Sequence, residues 1–204
     1  MSNYLAPNRL MLLTSAIVHK YFDGEHMYRY GVLGDGSCFY YSLCAATNCN
    51  NYLYESQPKQ VKIGKKFRCS FTDDLTPSKW KAFVQQHGFL EQDLRTVKDK
   101  FCTPSVWADE PLIQYVMEHT GLDIVFVDET LTRLYCNVGN PSAQKVVIIL
   151  WSNKSHFEPV ARVTATKRGK TQVQMLFHKK RDREFLESFL SKFTSECGTK
   201  KYLQ

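Results

Sequence analysis

Two short segments of this 204-residue chain carry residue types at spacings suited to covalent chemistry. The first is Gly34-Asp35-Gly36-Ser37-Cys38-Phe39-Tyr40, a glycine-rich turn that leads a cysteine into the first turn of an expected helix. Unpaired N–H groups and the dipole at a helix start stabilise a thiolate. The turn can also aim backbone N–H groups, those of Asp35, Gly36 and Cys38, at a developing oxyanion. The second segment is Trp151–Val160, WSNKSHFEPV, with His156 just past a buried-strand pattern and at the start of the next strand. His156 and Glu158 are two residues apart, so on a strand they point to one side. A carboxylate there can fix the imidazole tautomer and stabilise the imidazolium. Nucleophile, base and orienting acid are the parts of acyl transfer through a covalent intermediate. Each residue alone has an ordinary structural reading, a helix-start cysteine being more often a packed core side chain. What singles them out is that all three local contexts fit one mechanism.

The elements that must position these residues follow from hydrophobic period and capping residues. CFYYSLCAAT, Cys38 to about Thr47, has an apolar stripe at Phe39, Leu43 and Ala46 and predicts a helix with one buried face. Leu10 to Tyr21 also reads as a helix, ending near Asp23-Gly24. Tyr28–Leu33 is short and mixed, and Asn48–Ser70 is polar, basic and irregular, a long loop or insertion. Thr76-Pro77 starts a helix that runs to His87 and stops at Gly88, and another short helix follows from Glu91. Asp109–Thr120 is a helix ended by Gly121. Asp123–Asp128 and Lys145–Trp151 are β-branched runs that predict central strands buried on both faces, with a weaker strand at Arg133–Asn137 between them. Phe157–Thr166 and Thr171–His178 form a hairpin around Lys167–Lys170, and Arg181–Phe193 closes the chain with a helix. Helices early and strands late predict an α+β fold.

Composition bounds the partners. Lys plus Arg outnumber Asp plus Glu by 27 to 20, a net charge of +7. The excess sits in three clusters: Lys59, Lys62, Lys65, Lys66 and Arg68; Lys167, Arg168 and Lys170; Lys179, Lys180, Arg181 and Arg183. Aromatics do not interleave with them as in single-strand binders, so solvated loop and helix-end charge is favoured over a nucleic-acid surface. No apolar run approaches the ~20 residues that span a bilayer, and no membrane association is expected. Seven cysteines, Cys38, Cys44, Cys49, Cys69, Cys102, Cys136 and Cys197, are an odd number and include no C-x-x-C pair. Reduced and mostly buried thiols are the expectation, with no metal.

GDGSCFYYSL followed far downstream by HFEPV resembles the ovarian-tumour (OTU) class of cysteine deubiquitinases, as does Trp107-Ala108-Asp109 before a helix. The resemblance spans Gly34 to Val160. It implies a papain-like α+β fold, a mostly antiparallel sheet flanked by helices, in one domain over residues 1–204, with the N-terminal and C-terminal helices as extensions. Carried over by residue, Cys38 is the nucleophile, His156 the general base, and Glu158 stands where the family usually has Asp or Asn. Asp35 matches the motif aspartate whose loop shapes the oxyanion hole. The implied reaction is hydrolysis of the bond after the C-terminal glycine of ubiquitin, polyubiquitin or a ubiquitin-like modifier. Trp107 and Trp151 are the candidate walls of a narrow groove for that tail. The resemblance further implies no cofactor, a monomer, a cytoplasmic setting with the nucleus as alternative, and a viral source. Two readings compete with it: an OTU-like ubiquitin-binding module of weak activity, and a papain-like hydrolase of another amide.

Overall fold

The structure is a computed structural model that describes residues 9–22, 27–130, 134–135, 142–153, 155–165 and 171–197, without side chains for 15, 134, 135, 165, 171 and 193–197. Its strands are β1 (Leu10–Leu12), β2 (Met27–Tyr30), β3 (Leu122–Asp128), β4 (Leu134–Tyr135), β5 (Lys145–Ser152), β6 (His156–Ala165), β7 (Thr171–Gln174) and β8 (Leu176–His178). They form one sheet in the order β1-β2-β6-β5-β3-β4, with β7 added on β6 and β8 on β5. The β3–β5 pair is parallel and the other pairs are antiparallel. The helices are α1 (Ser15–Tyr21), α2 (Cys38–Thr47), α3 (Gln57–Ser70), α4 (Pro77–His87), α5 (Leu94–Cys102), α6 (Glu110–Thr120) and α7 (Arg183–Cys197).

Alternation along β3 and β5 explains why both read as continuous apolar runs. Ile124, Phe126, Val147 and Ile149 pack with α2 and with the layer that includes α4–α6. Val125, Val127, Val146 and Ile148 pack with Ile17, Phe22, Leu186 and Phe189 from the α1–α7 side. Helices therefore cover both faces, and each fully buried aliphatic side chain contributes roughly 1.5–3 kcal/mol relative to exposure. Helix ends fall where the capping residues place them. Asp109 accepts from Leu112 N–H at 3.2 Å, and Gly88 and Gly121 terminate α4 and α6 with φ of 68° and 62°.

Four expectations are corrected. Leu10–Leu12 is a strand, because it pairs with Tyr28–Tyr30, and the helix starts only after Thr14. Asn48–Ser70 is mostly ordered structure: a 3-10 segment, Cys49–Tyr54, followed by α3. The inner face of α3 is Gln60, Gly64 and Arg68, all buried, so hydropathy gives no sign of a packed helix. The helix expected from Glu91 begins at Leu94, where the Asp93 carboxylate accepts from Thr96 N–H. Finally, Cys69 and Cys102 are joined in a disulfide, their Cα atoms 4.5 Å apart at the ends of α3 and α5. They stand 33 residues apart in sequence, and only the packing of the two helices brings them together. Cys38, Cys44 and Cys49 are free thiols. The Asp23-Gly24 and Lys167–Lys170 segments, Cys136 and the Cys197 side chain lie outside the described residues.

The basic clusters lie on solvated surface where they are described. Lys59, Lys62, Lys65 and Lys66 are on the outer face of α3, and Lys59 pairs with Glu55 at 3.0 Å. Lys179 pairs with buried Asp123, and Arg183 with Glu187. Arg68 departs from its cluster: it is 1% exposed.

Candidate active site

Cys38 is the first residue of α2 and is buried at the helix N-terminus. Residues Cys38 to Ala46 of that helix are all buried, which fixes its axis against the sheet. The link to the sheet is made one turn above the thiol. Ser42 Oγ lies 2.9 Å from Cys38 O and 2.9 Å from Phe157 O, so its one proton is shared between the cysteine's own carbonyl and the strand that carries His156. Phe39 packs edge-on against Phe157, with ring centroids 5.9 Å apart.

The loop before α2 is built by Asp35. Its Oδ1 accepts from Ser37 N–H at 2.8 Å and its Oδ2 from the Tyr41 hydroxyl at 3.1 Å. Burial and then the neighbouring Asp35 carboxylate push the Tyr41 pKa up, so Tyr41 remains a donor at neutral pH. The carboxylate of Asp35 is thus committed to the turn. Cys38 N–H donates to Asp35 O at 3.1 Å, whereas the N–H groups of Asp35 and Gly36 make no hydrogen bond among the described residues. Glycine at position 36 is required by close approach, since a Cβ there would stand 2.5 Å from Ser105 C and 2.6 Å from Pro104 O.

His156 opens β6 opposite Ser152 of β5. Its Nδ1 lies on the Gly34 side, where a Cβ on that glycine would be 3.7 Å away. Its Nε2 faces Glu158 Oε1 at 3.3 Å. Nδ1 is buried and makes no hydrogen bond of ordinary geometry among the described residues. The Cys38 thiol is nonetheless the strongest influence on the ring: interaction with it, then with Glu158, raises the imidazole pKa to about 9 against the opposing effect of burial. Glu158 is 4% exposed, and its Oε2 is 3.2 Å from Arg29 Nη1 on β2. Cysteine, imidazole and carboxylate are therefore in series, with Arg29 behind them.

Sequence reasoning did not identify Arg29 or Ser42. Nothing local marks Arg29; its place is set by the pairing of β2 with β6, which puts it opposite Val160. Ser42 could have been found as a small polar residue one helical turn beyond Cys38. The two tryptophans stand on different elements, Trp107 on the loop before α6 and Trp151 on β5. Trp107 is 45% exposed on the loop after the Pro104–Ser105 peptide that touches Gly36. Trp151 is paired across the strands with Phe157, next to His156, and stacks on its ring with centroids 6.3 Å apart.

No group of His, Cys, Asp and Glu suited to a metal ion occurs among the described residues, and none of the described helices is long and apolar enough to cross a membrane. No family model and no curated protein matches the sequence. Solved structures do resemble it. An OTU domain in complex with ubiquitin aligns with a TM-score of 0.54 at 12% identity, over 95% of this chain and 96% of that one. The Hazara virus OTU bound to ubiquitin aligns at 0.45 and 19% identity, over 77% and 89% of the two chains. The OTU protease of Qalyub virus aligns at 0.40 and 13% identity, over 74% and 97%. The near-complete mutual coverage in the first of these, with the sheet order and flanking helices described above, shows that this chain has the fold of the ovarian-tumour domains.

Proposed function

We propose that this chain is a thiol-dependent hydrolase of ubiquitin conjugates, acting as a single OTU-type domain through Cys38. The observation that carries the reading is the series Cys38–His156–Glu158 placed on an OTU fold. His156 accepts the thiol proton and is held as an imidazolium by Glu158, itself held by Arg29. The Cys38 thiolate attacks the carbonyl carbon of ubiquitin's terminal glycine, forming the C–S bond. The N–H groups of Asp35 and Gly36 receive the oxyanion, because that of Cys38 is already engaged by Asp35 O. Collapse of the tetrahedral intermediate expels the lysine amine, which takes the proton from His156. Water, deprotonated by the now neutral His156, then releases ubiquitin and restores the thiol.

Trp107, on the loop after Pro104–Ser105, and Trp151, paired with Phe157 next to His156, are the proposed walls of a groove that admits the two glycines of the tail. The OTU domain in complex with ubiquitin that aligns over 95% of this chain supports ubiquitin as the partner. The test is cleavage of di-ubiquitin and of a fluorogenic ubiquitin amide, beside conjugates of other modifiers. Cleavage by the wild type, abolished in Cys38→Ala and reduced about a thousandfold or more in His156→Ala, is expected. Absence of cleavage by folded wild type, or equal cleavage by Cys38→Ala, would refute the reading.

A further inference from the structure

Arg68 is a buried cation placed beside the nucleophile loop. Its guanidinium is wrapped by main-chain oxygens: Nε donates to Phe101 O at 2.6 Å, Nη1 to Gly36 O at 2.8 Å and Pro104 O at 3.3 Å, and Nη2 to Lys100 O and Val106 O. Nη1 also lies 3.2 Å from Ser37 Oγ, whose own proton goes to Pro104 O. The face of the guanidinium rests 4.8 Å from the Tyr40 ring centroid. No carboxylate forms an ion pair with Arg68 among the described residues. A buried full charge is costly: burial is the largest influence on the Arg68 pKa and lowers it, and the Asp35 carboxylate of the nucleophile loop is among the charges that oppose this.

What the arrangement does is hold one peptide at both ends. The Gly36 carbonyl is bound by Arg68, and the Ser37 N–H of the same peptide unit is bound by Asp35 Oδ1. That peptide cannot rotate without losing both bonds. The two N–H groups just before it, on Asp35 and Gly36, are the ones left without an acceptor. The same guanidinium ties this loop to Pro104 and Val106, the loop that bears Trp107. We propose that Arg68 is the positioning residue of this active site, which pre-organises the Asp35 and Gly36 N–H groups as the oxyanion hole and fixes the Trp107 loop beside it. A lysine retains the charge but cannot span five carbonyls, because only the planar fork of arginine reaches in several directions at once.

This proposal rests on the thiol-hydrolase reading above, and its test separates the two. Cys38 is treated with p-nitrophenyl acetate, whose acyl transfer passes through an oxyanion, and with iodoacetamide, whose alkylation does not. The modified Cys38 peptide is quantified by mass spectrometry in wild type, Arg68→Lys and Arg68→Gln. The expected result is an acylation-to-alkylation ratio lower by about ten- to hundredfold in both variants, with the alkylation rate little changed. A ratio equal to wild type overturns the proposal. So does a proportional fall in both rates, which marks general disruption of the site. Failure of both variants to fold overturns it too, since Arg68 would then govern the fold and not the loop. Lack of activity on ubiquitin conjugates would refute the proposed function and leave this ratio readable, because neither reagent resembles ubiquitin.

Discussion

Replacing Glu158 by Gln removes one charge from the centre while keeping shape and an acceptor oxygen. At the observed 3.3 Å separation from His156 Nε2, and with an effective dielectric of ~20, the imidazolium–carboxylate attraction is about 5 kcal/mol before desolvation. Desolvation and the retained amide oxygen offset much of this. A hydrogen bond to a charged group is worth about 1.5–3 kcal/mol net, which corresponds to a roughly 10- to 100-fold loss in kcat/KM. The pH profile carries the sharper signal. In the proposed mechanism the imidazole pKa of about 9 sets the alkaline limb, because deprotonation would remove the acid that expels the amine. Glu158 is the second largest cause of that elevation, after Cys38. Glu158→Gln also leaves the Arg29 cation near the ring with only the more distant Glu129 carboxylate, 4.0 Å away, as an ion-pair partner among the described residues, so the limb must move to lower pH. The assay is kcat/KM on a fluorogenic ubiquitin amide across the neutral and alkaline range. Wild-type kcat/KM in the variant, or a lowered rate with an unmoved alkaline limb, would refute the coupling of Glu158 to His156.

Three further outcomes follow from the packing and the linkage. Gly64→Ala places a Cβ 2.1 Å from Tyr41 Cδ1, whose hydroxyl is pinned by Asp35, so α2 and α3 must separate; a loss of about 1–3 kcal/mol is expected in thermal unfolding, and an unchanged midpoint contradicts it. The Cys69–Cys102 bond closes a loop of 33 residues, which by loop-closure entropy is worth about 4 kcal/mol. Denaturant unfolding of the wild type should therefore depend on reductant, and that of a Cys69→Ser, Cys102→Ser variant should not. The His156 pKa is raised by folding from 6.5 to about 9, so its stabilisation is complete below about pH 6.5 and is lost as pH rises through 9. The difference in unfolding midpoint between wild type and His156→Ala should shrink across that window, and a constant difference would count against the linkage.

The residues of the candidate site were more legible in the sequence than the elements that support them. The turn Gly34–Ser37, the entry of Cys38 into a helix, and the shared side of His156 and Glu158 are local facts, encoded within a few residues. The ends of α4 and α6 were legible for the same reason, since Thr76, Asp109, Gly88 and Gly121 act on their own turns. What escaped is decided by partners distant in sequence. Leu10–Leu12 has a helix-like run of apolar residues and becomes a strand only because Tyr28–Tyr30 offers it an edge. Helix α3 inverts the usual pattern: its lysines face solvent, yet its inner face is Gln60, Gly64 and Arg68, chosen for hydrogen bonds and close approach. A hydropathy period cannot register such a helix. Arg68 consequently read as one more member of a basic cluster, and Arg29 lay unremarked in Tyr28–Leu33, a segment that read only as short and mixed.

Cys38 is proposed as the nucleophile toward the ubiquitin C-terminus. The most direct measurement is reaction of the chain with full-length ubiquitin bearing a C-terminal electrophile, followed by peptide mapping of the adduct. One ubiquitin per chain, attached to the peptide that contains Cys38, and no adduct in Cys38→Ala are expected. An adduct on Cys44, Cys49 or another cysteine, persistence of the adduct in Cys38→Ala, or no adduct from folded wild type would contradict it.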